Sequence, residues 1–429
     1  MRIVKLTNET KNNVLNDLLK RSPSSYGEYE GIVNDIIQNV RENKDAAIFE
    51  YTKNFDKCDI NADNILVTSE EIKEAYTKLD ADFVETMKKS AANVRDFHEK
   101  QLRQSFFTTK PDGSILGQRI TPLSRAGVYV PGGKAAYPSS VLMNVIPAKV
   151  AGVSEVVMTT PPGKDGKVNP GTLVAADIAG VDKIYKVGGA QAIAALAFGT
   201  ESIPKVDKIT GPGNIFVALA KKAVFGYLSI DSVAGPSEIL VLADKDANPR
   251  YVAADMLSQA EHDELASAIL ITDSMELATK VSEEVEKFTE VLSRKEIIRK
   301  SLDNYGYILV AESMDDAIDA ANDIASEHME ILTKDPFQTM TKVKNAGAIF
   351  LGEYSSEPLG DYFAGPNHIL PTNGTAKFFS PLGVDDFIKK TSIICYSKEA
   401  LERDHIDIER FATNEGLTAH ANSVAVRFE

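Results

Sequence analysis

The chain has 429 residues, with 47 Lys and Arg against 62 Asp and Glu, a formal net charge of −15; this acidic balance argues against nucleic acid or an anionic membrane as the main partner, because both need concentrated Lys and Arg. A composition of 43% hydrophobic and 25% charged residues fits a globular chain with a large core, and no window nears the roughly 18 consecutive apolar residues of a membrane span. The N-terminus MRIVKLTNETKNNVL has no apolar h-region and Cys58 and Cys395 lie far apart, so no secretory signal, disulfide scaffold or CxxC metal knuckle is expected, and the setting is reducing and cytoplasmic.

Residues 1–120 read mostly as helices. From Tyr29 to Phe49 the apolar positions Ile32, Ile36, Val40 and Ala47 recur at helical spacing. Residues 69–100 read as one long amphipathic helix or a pair, rich in Lys and Glu. His98 in that stretch, and His405 near the C-terminus, read as surface residues. From about residue 126 the texture changes. Strands at Gly127–Val130, Glu155–Thr159, Lys183–Val187 and Val206–Thr210 alternate with helical patterns. Asn169 and Pro170 supply an N-cap and a first-turn proline, and Gly180 closes that helix. This rhythm implies a parallel sheet covered on both faces. A second set follows, with strands at Ile239–Ala243, Ala268–Thr272, Tyr307–Val310, Glu330–Thr333 and Ala348–Leu351. Asn248-Pro249 caps a helix running to about Glu261. Ser355–Thr375 is a long Gly/Pro-rich loop, and such loops inside compact domains are usually functional. After about residue 382 a helical tail runs to Glu429.

The GxGxxG fingerprint is missing, since Gly211-Pro212-Gly213-Asn214 lacks the third glycine. The turns Pro131-Gly132-Gly133, Gly188-Gly189 and Gly211-Pro212-Gly213 all follow strands. They therefore lie on the carboxyl edge of a sheet, where open α/β folds bind ligands. Turn chemistry alone does not separate a ligand-binding turn from a tight connection. Gln259 and His262 are three apart and share a helix face. A lone His near a helix C-terminus is more often satisfying the dipole than binding metal, and Gln is an uncommon zinc ligand. Glu327-His328 sets a carboxylate beside an imidazole, either an acid/base pair or a helix end with a stabilising His. Asp361, His368, Glu415 and His420 add donors near predicted breaks. Such scattered His and carboxylate groups suit a mononuclear site with an open position, typical of catalytic zinc.

With these motifs assembled, the chain resembles the histidinol dehydrogenases over nearly its whole length, most densely from 120 to 425. The resemblance rests on YVPGG (129–133), VGGAQAIAALAFGTESIPKVDKITGPGN (187–214), AGPSEIL (234–240), LSQAEH (257–262), SEH (326–328), NHILPT (367–372) and EGLTAH (415–420), in that order. It departs from the family pattern at Asp263-Glu264-Leu265 and at Ala364-Gly365-Pro366. The resemblance implies an NAD-dependent, zinc-requiring, four-electron oxidation of L-histidinol to L-histidine through L-histidinal, the last steps of histidine biosynthesis. It implies one Zn2+ per subunit, held by Gln259, His262, Asp361 and His420, with Glu327 and His328 as the acid/base pair. Ser237, Gln259, His262, His328, Asp361, His368, Glu415 and His420 would contact substrate, and Tyr129, Gln191 and Asn214 would contact NAD. The expected fold is two Rossmann-like doubly wound parallel-sheet domains, aldehyde-dehydrogenase-like, with a helical N-terminal segment and a helical C-terminal tail. The expected division is 1–25 for the N-terminal segment, 26–128 plus 237–381 for a larger domain holding zinc and the catalytic residues, 129–236 for a smaller NAD-binding domain, and 382–429 for a tail exchanged in a homodimer whose active site is shared. Two alternatives stand beside this reading: a zinc- and NAD-dependent dehydrogenase of another amino alcohol, and a catalytically silent ligand-binding relative. The Glu327-His328 pair speaks against the second, because a binding module needs no base beside its ligand.

Overall fold

Long apolar runs such as Ile239-Leu240-Val241-Leu242, none of them exposed to solvent, can only be strands covered on both faces. The computed structural model, which describes residues 1–21, 27–132 and 137–429, places these runs at the centre of a six-stranded parallel sheet. Its order is Arg2–Lys5, Gly306–Val310, Ser267–Thr272, Glu238–Ala243, His328–Leu332 and Ala348–Leu351. A second parallel sheet has five strands, in the order Lys183–Lys186, Glu155–Thr160, Arg125–Tyr129, Lys208–Thr210 and Ser229–Ile230. In each sheet the chain winds outward one way from a central strand, returns, and winds outward the other way. The two are therefore doubly wound, as expected. The expected boundary between residues 25 and 26, and Gly133 of the first glycine turn, lie outside the described residues.

Both sheets belong to one compact unit, Met1–Gln101 with Leu123–Phe387. The six-stranded sheet is covered on one face by the helices Pro249–Ala260, Met275–Val291 and Lys295–Tyr305, and on the other by Asn8–Leu19 and Met314–Ile324. The helix Gly27–Phe55 buries Val33, Ile36, Ile37 and Val40 on one face of the five-stranded sheet, together with the helices Gly189–Phe198 and Ile215–Val224. On the other face lie the paired helices Ser69–Lys78 and Ala81–Glu99, with Pro138–Ala151 and Pro170–Ala179. The Asn169 side chain accepts from Gly171 N, and Gly180 ends that helix in the left-handed region, as the sequence pattern predicts.

The second compact unit is Leu102–Pro122 with Ile388–Glu429. Here the expectation of helices needs correction. Phe106–Thr109, Ile115–Pro122 and Ile388–Cys395 form a three-stranded antiparallel sheet. The β-branched Ile388, Thr391, Ile393 and Ile394 favour the extended strand. Only from Lys398 is the tail helical, in Lys398–Asn414 and Thr418–Ala425. The strand Arg2–Lys5 was also unforeseen, being four residues at a sheet edge. Among the described residues no helix is long and apolar enough to cross a membrane.

Candidate active site

Three stretches distant in sequence meet at the amino ends of two adjacent strands of the six-stranded sheet. Ser237 directly precedes Glu238–Ala243, Glu327 directly precedes His328–Leu332, and His328 opens that strand. The helix Pro249–Ala260 returns antiparallel to the strands it connects, so Gln259, one residue from its C-terminus, comes to the same edge. The negative end of that helix dipole favours positive charge there. Ligands of open parallel sheets usually sit at carboxyl ends; this cluster lies at the opposite edge. Gly347, which precedes the neighbouring strand, passes so close that a Cβ there would overlap the Glu327 carbonyl oxygen.

His328 is the hub. Its Nδ1 lies 3.0 Å from the Glu238 carbonyl oxygen, 3.5 Å from Gln259 Nε2 and 3.6 Å from Glu327 Oε2. Its Nε2 faces Asp361 Oδ1 at 3.6 Å and Glu357 Oε1 at 4.0 Å, and has no partner at hydrogen-bond distance among the described residues. Asp361 sits on the short helix Glu357–Tyr362, and its carbonyl oxygen lies 3.0 Å from His368 Nδ1. Glu327 Oε2 accepts from Glu238 N at 2.9 Å. Electrostatics links the outlying members, since the charges of Asp361 and His328 both act on His262 and on His368.

Burial pushes the Glu327 carboxyl up to about 8, against the pull of neighbouring His328. Burial also works against a charged His328, yet Glu327, Asp361 and Glu357 outweigh it and lift the imidazole to about 10. Asp361 shows the converse. Its burial favours the neutral acid, but His328 and His368 hold it down at about 2. The pocket thus crowds three carboxyl groups, Glu327, Glu357 and Asp361, around one imidazole. His328, Glu357 and Asp361 each offer one donor atom, all within 4.8 Å of one another. Among the described residues the buried Gln259 Oε1, His328 Nε2 and Glu357 Oε1 have no hydrogen-bond partner, and leaving such atoms unpaired costs about 1–3 kcal/mol each. Nitrogen and oxygen donors with open valence fit a divalent ion of the zinc type.

Of the residues named from sequence, Ser237, Gln259, His262, Glu327, His328, Asp361 and His368 lie in the first unit. Glu415 and His420 belong to the second, where both are exposed. The sequence reading missed Glu357 and Glu238, both buried. A signal existed for Glu238, because a carboxylate heading the run Glu238-Ile239-Leu240-Val241 is rarely buried without a partner. The same holds for Glu330, buried inside His328–Leu332 beside Asp255.

His98 needs correction: it is fully buried, not a surface residue. With Met87, Ala91 and Val94 it keeps the i, i+4, i+7, i+11 rhythm of the inner helix face. Its Nδ1 lies 2.7 Å from the Val94 carbonyl oxygen and its Nε2 is 3.3 Å from Asn367 Nδ2. Asn367 in turn donates to the Met143 carbonyl oxygen at 2.7 Å, so His98 backs the loop that presents His368.

The five-stranded sheet brings together the other named residues at its carboxyl edge. Tyr129 ends the central strand and its hydroxyl oxygen accepts from Gly189 N at 3.2 Å. Gln191 is buried on the following helix, and Asn214 caps Ile215–Val224 through Val217 N at 3.2 Å. The strands ending at Tyr129 and Thr210 flank the point where the winding reverses, the usual crevice for a nucleotide. Gly211 there has φ 115°, and a Cβ would overlap the Tyr129 carbonyl oxygen. Gly211→Ala is therefore expected to cost ~1–3 kcal/mol of stability in urea unfolding. An unchanged midpoint would mean that the turn relaxes freely.

Sequence and structure comparisons converge. The family model described as histidinol dehydrogenase matches residues 19–428. A histidinol dehydrogenase of Clostridium acetobutylicum is 55% identical over 412 residues, 96% of this chain and 95% of that protein. One from Bacillus subtilis is 57% identical over 410 residues, covering 95% and 96%. The crystal structure of histidinol dehydrogenase from Elizabethkingia anophelis superposes with a TM-score of 0.94 at 36% identity, covering 100% of this chain and 98% of that one.

Proposed function

Because the chain belongs to the histidinol dehydrogenase family, we propose that it oxidises L-histidinol to L-histidine through L-histidinal, with zinc and NAD, in a homodimer of the cytoplasm. It is an oxidoreductase of histidine biosynthesis acting on histidinol. The observation that carries the mechanism is the buried imidazole–carboxylate pair His328 and Glu327 facing orphaned donors.

In this reading Gln259, His262, Asp361 and His420 of the partner subunit hold one zinc per subunit, while Tyr129, Gln191 and Asn214 hold NAD. Residues 129–236 then serve the cofactor, and 26–128 with 237–381 serve the chemistry. Bound zinc would supply a Lewis acid that anchors the substrate's amine and imidazole, and NAD the hydride acceptor. The chain's own residues move the protons. With the charge of bound zinc standing in for the proton that Glu327, Asp361 and Glu357 otherwise hold on it, His328 is left with Nε2 to take the alcohol proton during the first oxidation. Glu327 takes a proton from the water that adds to the aldehyde during the second. Ser237 and His368 orient the substrate, and Glu415 of the partner subunit pairs with its ammonium. Burial keeps bulk water from the aldehyde and keeps the aldehyde in place.

Purified protein is expected to contain about one zinc per chain and to reduce NAD with histidinol until a chelator is added. His262→Asn should lose most of the metal, measured by elemental analysis, while remaining folded by circular dichroism. Full zinc occupancy in that variant would remove His262 from the ligand set.

A further inference from the structure

We infer that Arg21, acting through Glu238, is a positioning residue for the pair Glu327–His328, so that the N-terminal segment shapes the chemistry; this rests on the acid–base reading above. Arg21 follows the helix Asn8–Leu19 and is fully buried. A buried guanidinium must find partners for its donors. Nη1 donates to the Leu265 carbonyl oxygen at 2.7 Å, and Nη2 donates to Glu238 Oε1 at 2.5 Å across 217 residues. Leu265 lies three residues beyond His262, so the same guanidinium ties down the loop that follows the proposed ligand helix.

Glu238 spends nearly all its polar groups on the catalytic pair. Its backbone N donates to Glu327 Oε2 at 2.9 Å, and its Oε2 accepts from Glu327 N at 3.3 Å. Its carbonyl oxygen lies 3.0 Å from His328 Nδ1. A carbonyl can only accept, so Nδ1 donates to it and Nε2 is turned toward Asp361 and Glu357, the side on which a base is needed. Oε1, opposite, takes Arg21 and Asn373 N at 3.2 Å. The carboxylate that clamps Glu327 is itself an anion buried beside it. Arg21 is the cation that lets it stay there, because removing one partner of a buried pair leaves an uncompensated charge. Without Arg21, Glu238 must turn away or repel Glu327, and either shift disturbs the pair.

The test uses the zinc-loaded enzyme, with kcat per folded subunit for histidinol and for histidinal. Arg21→Met should lower both kcat values about 10–100-fold, with zinc content and KM for histidinol held within about twofold. Arg21→Lys, which keeps a cation without the planar fork, should fall between it and the parent. Adding Glu238→Gln to Arg21→Met removes the stranded anion and should recover part of the lost kcat. A merely structural Arg21 would lower yield or melting temperature while leaving kcat per folded subunit at the parental value, and that result overturns the inference. If Arg21→Met alone does not fold, the charge-neutral double variant decides. Reduced kcat at unchanged KM supports the inference, and parental kcat overturns it. Glu327→Gln and His328→Asn in the parental background test the acid–base reading by itself, so the two failures are distinguishable.

Discussion

Glu327→Gln is expected to depress oxidation of histidinal about 10²–10⁴-fold while sparing hydride removal from histidinol. The substitution is nearly isosteric, and a Gln oxygen can still accept from Glu238 N, which lies 2.9 Å from the native carboxylate. What is lost is the base that would take a proton from attacking water. Burial pushes this carboxyl up to about 8, so its basic form grows as pH rises through that region. Histidinal oxidation should therefore increase with pH on an acidic limb that Glu327→Gln abolishes. His328→Asn should impair both steps, since its Nε2 is assigned the alcohol proton and its ring packs between Gln259 and Asp361. Supplying histidinal directly, with NADH followed spectrophotometrically, separates the two half-reactions. Parental histidinal oxidation by Glu327→Gln would sink the water-activating role.

Mixing two inactive variants should restore activity. His262→Asn is defective in the first unit, and His420→Asn is defective on the tail helix Thr418–Ala425 of the second. If the tail of each chain completes its partner's site, a mixed dimer collects both lesions in one site and neither in the other. After joint unfolding and refolding, half the dimers are mixed and half of their sites are intact, so about one quarter of the parental activity should return. If each tail serves its own body, every site keeps one lesion and nothing returns. Refolded parental protein supplies the control, and silent dimers proven to be mixed would refute a shared site.

The central architecture was legible because it is written in local patterns. Runs such as Val156–Met158 and Ile269–Ile271 can only be buried strands, and Asn169, Pro170 and Gly180 mark the limits of a helix by cap chemistry that acts within a few residues. In the antiparallel sheet the hairpin of Phe106–Thr109 with Ile115–Pro122 around Pro111-Asp112-Gly113 was a local signal, whereas the pairing of Ile115–Pro122 with the half-polar Ile388–Cys395 joins segments some 270 residues apart. A ladder of that kind is stabilised by pairing that no local window contains.

At the site, the sequence by itself determined which side chains are available: the Glu327-His328 dipeptide, Gln259 and His262 one turn apart, Asp361, His368, and the family to which these motifs belong. What it could not determine is which of them share a low-dielectric pocket. That was decided by the parallel winding, which sets the starts of Glu238–Ala243 and His328–Leu332 side by side and returns Gln259 to the same edge. Only that juxtaposition sets Glu357 opposite His328, buries His98 behind the loop of His368 and brings Arg21 onto Glu238. The reason is physical. Hydrophobic periodicity and caps act over a few residues along the chain, whereas desolvation and charge pairing act over a few ångströms in space, between residues whose separation in sequence has no bearing on their strength.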